Sequence, residues 1–455
     1  MGGGAADVGS GGSQAARVAA EAIVRTLRAG GHVAYFAGGC VRDELLGLEA
    51  SDYDVATDAT PDRVRGLFKR TALVGAHFGV VLVKTRDGGR RDIVTEVATF
   101  RSDGAYSDRR RPDSVTFSDA RSDALRRDFT VNALFLDPLA DKETERHADV
   151  PPVDRAGGAG GVGPTMRGQI VDFVGGIADL DARVLRAVGD PDKRLGEDHL
   201  RALRAVRLAA RLGLSIEQGT AAAIRRHARD LEGVSHERIG DEIRRVLGHP
   251  SRAVGVRLLQ DLGLDGPVLG SERPASVPAR LGRLEAGASI EVCLAALALD
   301  RGEVDGPEAI QALLTAWRRS LCLSNEEREG TRDVLAAYFV LRREFEVLGV
   351  AAQKRLAAGG GFGGALAVLE AEDPDRAGLV RRRVSELAAT PGGLSPAPAV
   401  TGDDLIGLGM TPGPGFAGLL AAAYDAQLEG VFGDREGGLG WVRARQGEGS
   451  GGGCG

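Results

Sequence analysis

The sequence predicts an α+β protein, with an N-terminal head built on a small mixed sheet and an elongated all-α body behind it. Three observations carry this. Between His32 and Pro138 short β-like runs alternate with turns and short helical pieces. From Asp181 onward apolar residues recur at helical spacing in segment after segment, with no strong strand pattern. The chain has 455 residues, more than one core serves, so roughly two to four domains are expected.

The elements follow in order. Residues 1–13 are Gly/Ala/Ser-rich, lack the basic-then-apolar pattern of a signal peptide, and read as a disordered leader. A helix is predicted from about Gln14 to Arg28, with Val18, Ala22, Ile23 and Leu27 on one side. The β-like runs are His32 to Phe36, Tyr53 to Ala56, Val80 to Lys84, Asp92 to Thr99 and Val131 to Leu136. Helical pieces at Val41 to Leu46 and Pro61 to Phe68 interrupt them. The head is therefore placed at 14–180, with a Pro/Gly-rich polar insertion at about 141–163. Helices over Ala182 to Val188, His199 to Leu212, Gln218 to Leu231 and His236 to Leu247 open a neck, 181–270, and a body, 271–389, continues it. A Gly/Pro-rich linker, Thr390 to Ala397, leads to a terminal helical unit at 398–440. The Gly-rich end, 441–455, reads as disordered.

Composition narrows the function classes. Hydrophobic residues make 43% and charged residues 27%, an ordinary globular balance, and no apolar run reaches the length of a membrane span. Aromatics make only 4%, which weighs against recognition by rows of stacked bases. The net charge is −6, so any binding of a polyanion needs a local basic face. Cys40, Cys293, Cys322 and Cys454 show no CxxC spacing, so they indicate neither a zinc site nor a redox motif, and they fit a reducing cytoplasm.

The first constellation that carries chemistry is Gly38-Gly39-Cys40-Val41-Arg42-Asp43, followed by Asp52-Tyr53-Asp54. A strand running into two glycines and then a helix lets backbone amides approach a phosphate, and the helix start adds positive potential. Arg42 is able to grip a phosphate oxygen bidentately. A plain tight turn would use the same glycines. Asp52 and Asp54 stand two apart in a β-like run, so both carboxylates project from one face. They repel each other unless a cation intervenes, and hard oxygen ligands favour Mg²⁺. Two metals there would activate a 3′ hydroxyl and stabilise a leaving pyrophosphate. A lone acid pair of this kind is more often a solvated turn; its position just after the Gly-Gly-helix unit raises the catalytic reading. A third acid is expected from a neighbouring strand. Glu96 is the candidate, and Asp92 competes from the same strand face.

Two further segments are informative. In Arg126-Arg127-Asp128-Phe129-Thr130-Val131-Asn132-Ala133-Leu134, Arg127 suits a phosphate and Asp128 a ribose hydroxyl, a contact that separates ribonucleotides from deoxyribonucleotides. An Arg-Asp ion pair at a strand entrance explains the same residues. In Glu197-Asp198-His199-Leu200-Arg201-Ala202-Leu203-Arg204-Ala205-Val206-Arg207, Asp198, Arg201, Arg204 and Arg207 share one broad helix face, and Leu203 and Val206 point away. Such a face is often merely solvated. Cytosine and adenine, however, each set an amino donor beside a bare ring nitrogen. A carboxylate on Asp198 and a guanidinium on Arg201 complement that edge and mismatch uracil and guanine. Each buried polar group left unpaired costs about 1–3 kcal/mol, enough for strong discrimination.

Taken in order, GGxVRDxLLG, DxD, RRDxxxNAL and EDxxRxxRxxR resemble the class II tRNA nucleotidyltransferase and bacterial poly(A) polymerase family, over about Tyr35 to Leu247. The resemblance implies Asp52 and Asp54 as metal-binding acids and Gly39 and Arg42 as nucleotide contacts. It further implies Arg127 as a triphosphate ligand, Asp128 near the sugar, and Asp198, Arg201, Arg204 and Arg207 as the nucleotide-recognition set. The segment Arg101 to Phe117 is similar to the family's flexible loop, implicated in switching from C to A addition. Thr401 through Pro414 is similar to the C-terminal unit of long bacterial CCA-adding enzymes, and the basic tail usual in bacterial poly(A) polymerases is missing.

The resemblance thus implies Mg²⁺-dependent addition of CMP, CMP and AMP, from CTP and ATP, to the 3′ end of tRNA. Neither a membrane nor an obligate protein partner is expected. A poly(A) polymerase, a CC- or A-adding enzyme, and a non-catalytic RNA-binding protein are the alternatives. Arg225, Arg226, Arg244 and Arg245 are candidates for RNA phosphate contacts, although exposed helix arginines explain them equally. The 141–163 insertion departs from the family pattern.

Overall fold

A computed structural model describes residues 9–74, 79–87, 91–106, 112–140, 168–271 and 276–450. The insertion read at 141–163, the tip of the Arg101 to Phe117 loop and the first residues of the leader lie outside the described residues. The chain divides into two units, residues 1–234 with 262–264, and residues 235–261 with 265–455.

The first unit opens with α1 (Gly9–Ala29), which starts inside the segment read as a leader. Strand β1 (Ala34–Ala37), α2 (Gly39–Leu45), β2 (Val55–Thr57), α3 (Pro61–Leu67), β3 (Thr71–Val74), β4 (Val80–Asp87) and β5 (Arg91–Thr99) follow. Then come the hairpin strands β6 (Arg101–Asp103) and β7 (Val115–Phe117), α4 (Ala120–Leu125), β8 (Phe135–Asp137), β9 (Gln169–Val171) and α5 (Gly176–Asp181). The unit closes with β10 (Val184–Leu185), α6 (Pro191–Glu197), α7 (Arg201–Leu212), β11 (Ser215–Ile216) and α8 (Gln218–Arg226).

Seven strands form one sheet in the order β3-β4-β5-β2-β1-β8-β9. Only β2 and β5 run parallel within it; the other pairs are antiparallel. On one sheet face, Ala20, Ile23, Val24 and Leu27 of α1 pack with Phe36, Val55, Val81, Val97 and Leu136. Val18 and Ala22, read on one side of the helix with Ile23 and Leu27, are exposed, because the helix meets the sheet along the Ala20/Ile23/Val24/Leu27 stripe. On the other face Ala37, Ala56, Phe100, Ala124, Ala133 and Phe135 form a second cluster. The strand residues thus divide between two buried faces, as the period of two requires.

Three predicted elements take other forms. The apolar run Val131 to Leu136 begins as a 3₁₀ turn, Thr130–Asn132, and only Phe135–Asp137 pairs in the sheet. A short buried run has no period that tells the two apart. The helix expected over Ala182 to Val188 is instead the turn after α5 and strand β10, which pairs parallel with β11. Arg183 sits at φ 57°, a left-handed residue that a helix interior excludes. The helix read from His199 starts at Arg201, since Asp198 is extended at φ −155°.

The second unit is all-helical among its described residues. The helix predicted at His236 to Leu247 is present with those bounds. The helix Ile290–Asp300 is buried from Val292 to Ala298, and Trp317, Tyr338, Leu341 and Phe345 are among the other fully buried side chains of this unit. Helix Phe362–Glu372 crosses Asn325–Arg343 closely; a Cβ at Gly361 would sit 2.4 Å from the Asp333 carbonyl carbon, so only glycine fits there. Glu372 ties this core electrostatically, accepting from Tyr338, from Arg280 at 2.9 Å and from Arg342 at 2.9 Å. The last helix, Arg435–Ser450, takes in residues 441–450 of the end read as disordered, and the rest of that end lies outside the described residues. Val442 of this helix is fully buried and packs with Val400, Leu405 and Phe432, an anchor that the Gly-rich composition concealed.

Candidate active site

The site is built where β1 passes into α2. Gly38 takes φ 78°, and a Cβ there would stand 2.9 Å from Nη1 of Arg127. A side chain would meet a strained backbone and a fixed guanidinium together. The backbone N–H of Ala37 donates to the Asp54 carbonyl at 3.0 Å, which extends the β1–β2 pairing back to Asp54. The parallel register pairs Val55 with Val97 and Ala56 with Ala98; carried one residue back, it sets Asp54 beside Glu96.

Asp54 is half-buried, and Asp52 and Glu96 are exposed at its side. Burial, then the negative charges of Glu96 and Asp52, push the Asp54 carboxyl up to about 7, against the opposing pull of Arg127. Asp52 and Glu96 thus act on Asp54 as neighbouring negative charges with Arg127 opposing, and all three acids offer oxygen donors. This fits a hard divalent cation. The competitor Asp92 is engaged elsewhere: its carboxylate pairs with Arg70 at 2.6 Å and with Arg86 at 3.8 Å.

Arg127 is held in place by Asp123, with Nε and Nη2 donating at 3.1 and 3.0 Å and Nη1 donating to the Asn132 carbonyl at 3.0 Å. Its guanidinium lies over the Phe135 ring at 5.0 Å. Asp123, a buried residue of α4, also binds Arg126 at 2.6 Å. Arg42 is buried, donating to Asp43 at 2.8 Å and to the side-chain oxygen of Asn132. Asn132 Nδ2 donates to Asp128 Oδ1 at 3.0 Å, and Asp128 Oδ2 accepts from Arg204 at 2.9 and 2.7 Å. At the far end Arg211 donates to Asp43 at 3.2 Å. A polar relay therefore runs Arg211–Asp43–Arg42–Asn132–Asp128–Arg204, leaving α7 and returning to it. Burial opposes the charge on Asp128, but Arg204, Asn132 and Arg201 prevail and hold its carboxyl down to about 2.

Within the proposed recognition set, Arg201 donates to Glu197 at 2.5 Å and to the Arg194 carbonyl at 2.6 Å. Asp198 precedes α7, is extended and accepts from the Leu200 N–H at 3.1 Å, so it lies in the chain entering the helix and does not share the helical spacing of Arg201, Arg204 and Arg207 expected of it. Arg204 and Arg207 are partly buried along α7, one and two turns on. The loop base sits close by. Asp103 accepts from the Tyr106 hydroxyl at 2.6 Å and pairs with Arg101 at 2.9 Å; burial, then Asp103, raise Tyr106 to about 12, with Arg201 and Glu197 also acting on it. Sequence reading passed over Asp43, Asp123, Asn132 and Arg211. Asp43 and Asn132 stand inside the quoted motifs, where a buried polar residue signals a network. Arg226, Arg244 and Arg245 form ion pairs, with Asp192 at 2.6 Å, Glu327 at 2.6 Å and Glu242 at 3.1 Å.

The sheet, the glycine corner and the acid cluster together define a polymerase-type head, and the family described as "Poly A polymerase head domain" matches residues 34–158. Residues 213–269 match "Probable RNA and SrmB- binding site of polymerase A". The chain belongs to the family of CCA-adding enzymes. It is 34% identical to the CCA-adding enzyme of Lactiplantibacillus plantarum over 70% of both chains. It is 41% identical to that of Latilactobacillus sakei over 53% of each, so it spans about half the length of that relative. Its fold matches the Bacillus stearothermophilus CCA-adding enzyme in complex with CTP at a TM-score of 0.72 and 28% identity, over 95% of this chain and 98% of that one. The Thermotoga maritima CCA-adding enzyme complexed with tRNA shares the fold at a TM-score of 0.63. Among the described residues no helix is long and apolar enough to cross a membrane.

Proposed function

We propose that this chain adds CMP, CMP and AMP, taken from CTP and ATP, to the 3′ end of tRNA and releases pyrophosphate. The observation that carries this reading is the juxtaposition of Asp54 with Glu96 and Asp52 beside the Gly38–Arg127 corner. Family membership supports it, as do relatives solved with CTP, with ATP and with tRNA.

Asp52 and Asp54 would hold Mg²⁺, with Glu96 as the third carboxylate. Bound there as a pair, the metal ions supply charge that acidifies the 3′ hydroxyl and offsets the leaving pyrophosphate. The chain's own residues do the positioning. Gly39 and Arg42 frame the nucleotide from the start of α2. Arg127, held by Asp123, presents its guanidinium to the triphosphate. Asp128 orients the ribose, and Asp198 with Arg201 read the amino-bearing edge shared by cytosine and adenine, in a frame set by Arg204 and Arg207. Geometry and electrostatics, more than covalent chemistry, then provide the rate. The scattered cysteines fit work in the cytoplasm.

A tRNA ending before its CCA, incubated with each nucleotide singly and together, tests the reading. Addition of two C and one A supports it. A homopolymeric A tail on generic RNA overturns it in favour of poly(A) synthesis, and arrest after two C indicates partial addition.

A further inference from the structure

Beside the proposed recognition face, His199, His227 and Asp230 each offer one ligand atom, and these atoms lie within 4.8 Å of one another. They come from two places in the fold. His199 lies in the connection between α6 and α7, His227 closes α8, and Asp230 is in the 3₁₀ segment Ala228–Gly233. His227 Nδ1 is 2.7 Å from Asp230 Oδ2, and His199 Nδ1 is 3.8 Å from the same oxygen. The two imidazole rings stand 5.8 Å apart, centroid to centroid. His199 is buried, and His227 and Asp230 are partly open to solvent, so an ion has a way in. Asp192 lies 3.2 Å from the other nitrogen of His227 and is itself bound by Arg226, the arrangement that fixes a ligating imidazole from behind.

We propose that His199, His227 and Asp230 form a zinc site, separate from the acid cluster. Two imidazoles and one carboxylate are a borderline donor set suited to Zn²⁺ and poorly suited to Mg²⁺, which favours oxygen. At a Zn–N bond of about 2.0–2.1 Å, tetrahedral ligand atoms stand about 3.3 Å apart. Asp230 therefore moves about half an ångström off His227, its contact with His199 shortens by about the same, and the two imidazole nitrogens, within 4.8 Å of each other, close by up to about 1.5 Å. Three protein ligands leave the fourth position to water. Zinc here pins the 198–200 connection to α8, one residue from Asp198. The site differs in kind from the proposed Mg²⁺ site, and none of its ligands is a cysteine.

The test uses the full chain with Asp54→Asn, to weaken binding at the acid cluster, dialysed against a chelator. Zinc chloride is titrated by calorimetry, and cobalt chloride by visible absorption. The expected result is one equivalent of zinc held at least about tenfold more tightly than in the added double variant His227→Ala, Asp230→Asn. Magnesium chloride should not compete at millimolar level, and the intense visible bands of four-coordinate cobalt should vanish in the variant. Both substituted ligands are partly exposed, and the metal-free melting temperature shows whether the variant is folded. No zinc binding, equal binding in the folded variant, or only the weak bands of six-coordinate cobalt overturns the proposal.

Discussion

At the scale of single residues, the acid cluster makes the sharpest claim. Asp54→Ala should lower nucleotide incorporation by about 10³-fold or more with the melting temperature kept or raised, because the half-buried carboxyl is crowded by like charges. Glu96→Ala should cost about 10–100-fold, whereas Asp92→Ala, which breaks exposed pairs with Arg70 and Arg86, should leave the rate within about twofold. Equal losses from Glu96→Ala and Asp92→Ala, measured by single-turnover extension, would remove Glu96 from the site. Asp198→Ala should relax selection against UTP and GTP, read as misincorporation with each nucleotide alone, while unaltered selectivity would dismiss Asp198 as a base reader. Much of this scale was legible in the sequence. The DxD spacing and the Gly-Gly turn are local signals, and the parallel pairing of β2 with β5 then sets Glu96 beside Asp54. Arg211 was not legible, because its partner Asp43 lies 168 positions away, whereas Asp123 stands three and four residues before Arg126 and Arg127, a local spacing that only the fold shows to be buried and paired.

At the scale of elements, α7 is coupled through charge to α2 and to the Asp128 segment that precedes β8. The Asp128 carboxyl is held down to about 2 in the fold against roughly 4 in an unfolded chain, so it binds fewer protons folded than unfolded. Its contribution is complete above about pH 4 and is lost as pH falls toward 2, a change of about 2–3 kcal/mol. Acid unfolding of Asp128→Asn should therefore show a shallower loss of stability between pH 4 and 2 than the parent; parallel curves would mean that the pair contributes nothing. The β6–β7 hairpin is a second coupled element, since its base meets α4 through Arg126 and Asp103 at 3.7 Å. Shortening Arg101 to Arg111 should spare C addition and impair the terminal A, and equal loss of both, measured as C and A incorporation on matched tRNA ends, would end the switching idea. Element types were read well where amphipathic or alternating runs were long, as for β4, β5 and His236 to Leu247. They were misread where a positive φ at Arg183 or an extended Asp198 redirected the chain, since neither residue type announces that conformation.

At the scale of the whole molecule, the α+β head followed by helices was predictable because the hydrophobic period changes once, near Asp181. The reach of the last helix was not, because one buried valine outweighs many glycines. On the proposed function, a chain with net charge −6 binds tRNA through local arginines. Its affinity for tRNA should fall steeply with salt, the slope of log K against log salt reporting the number of phosphates engaged. A flat salt response in filter binding would exclude phosphate contacts as the main source of affinity. Arg244 and Arg226 already neutralise Glu327 and Asp192. Replacing either should therefore lower stability more than it changes that slope.

The relay from Arg211 to Arg204 has a bearing on how this sequence is free to vary. Its six side chains alternate in sign or polarity, so changing one removes a partner from its neighbours, at the greatest cost where that neighbour is buried, as Arg42 and Asp43 are. Drift at Asp43 is therefore conditional on drift at Arg211, and drift at Asp128 on Arg204, although 168 and 76 positions separate the members of those pairs. Viable substitutions should arrive as matched pairs, and a library randomising one position at a time would find the relay nearly immutable when it is only jointly constrained.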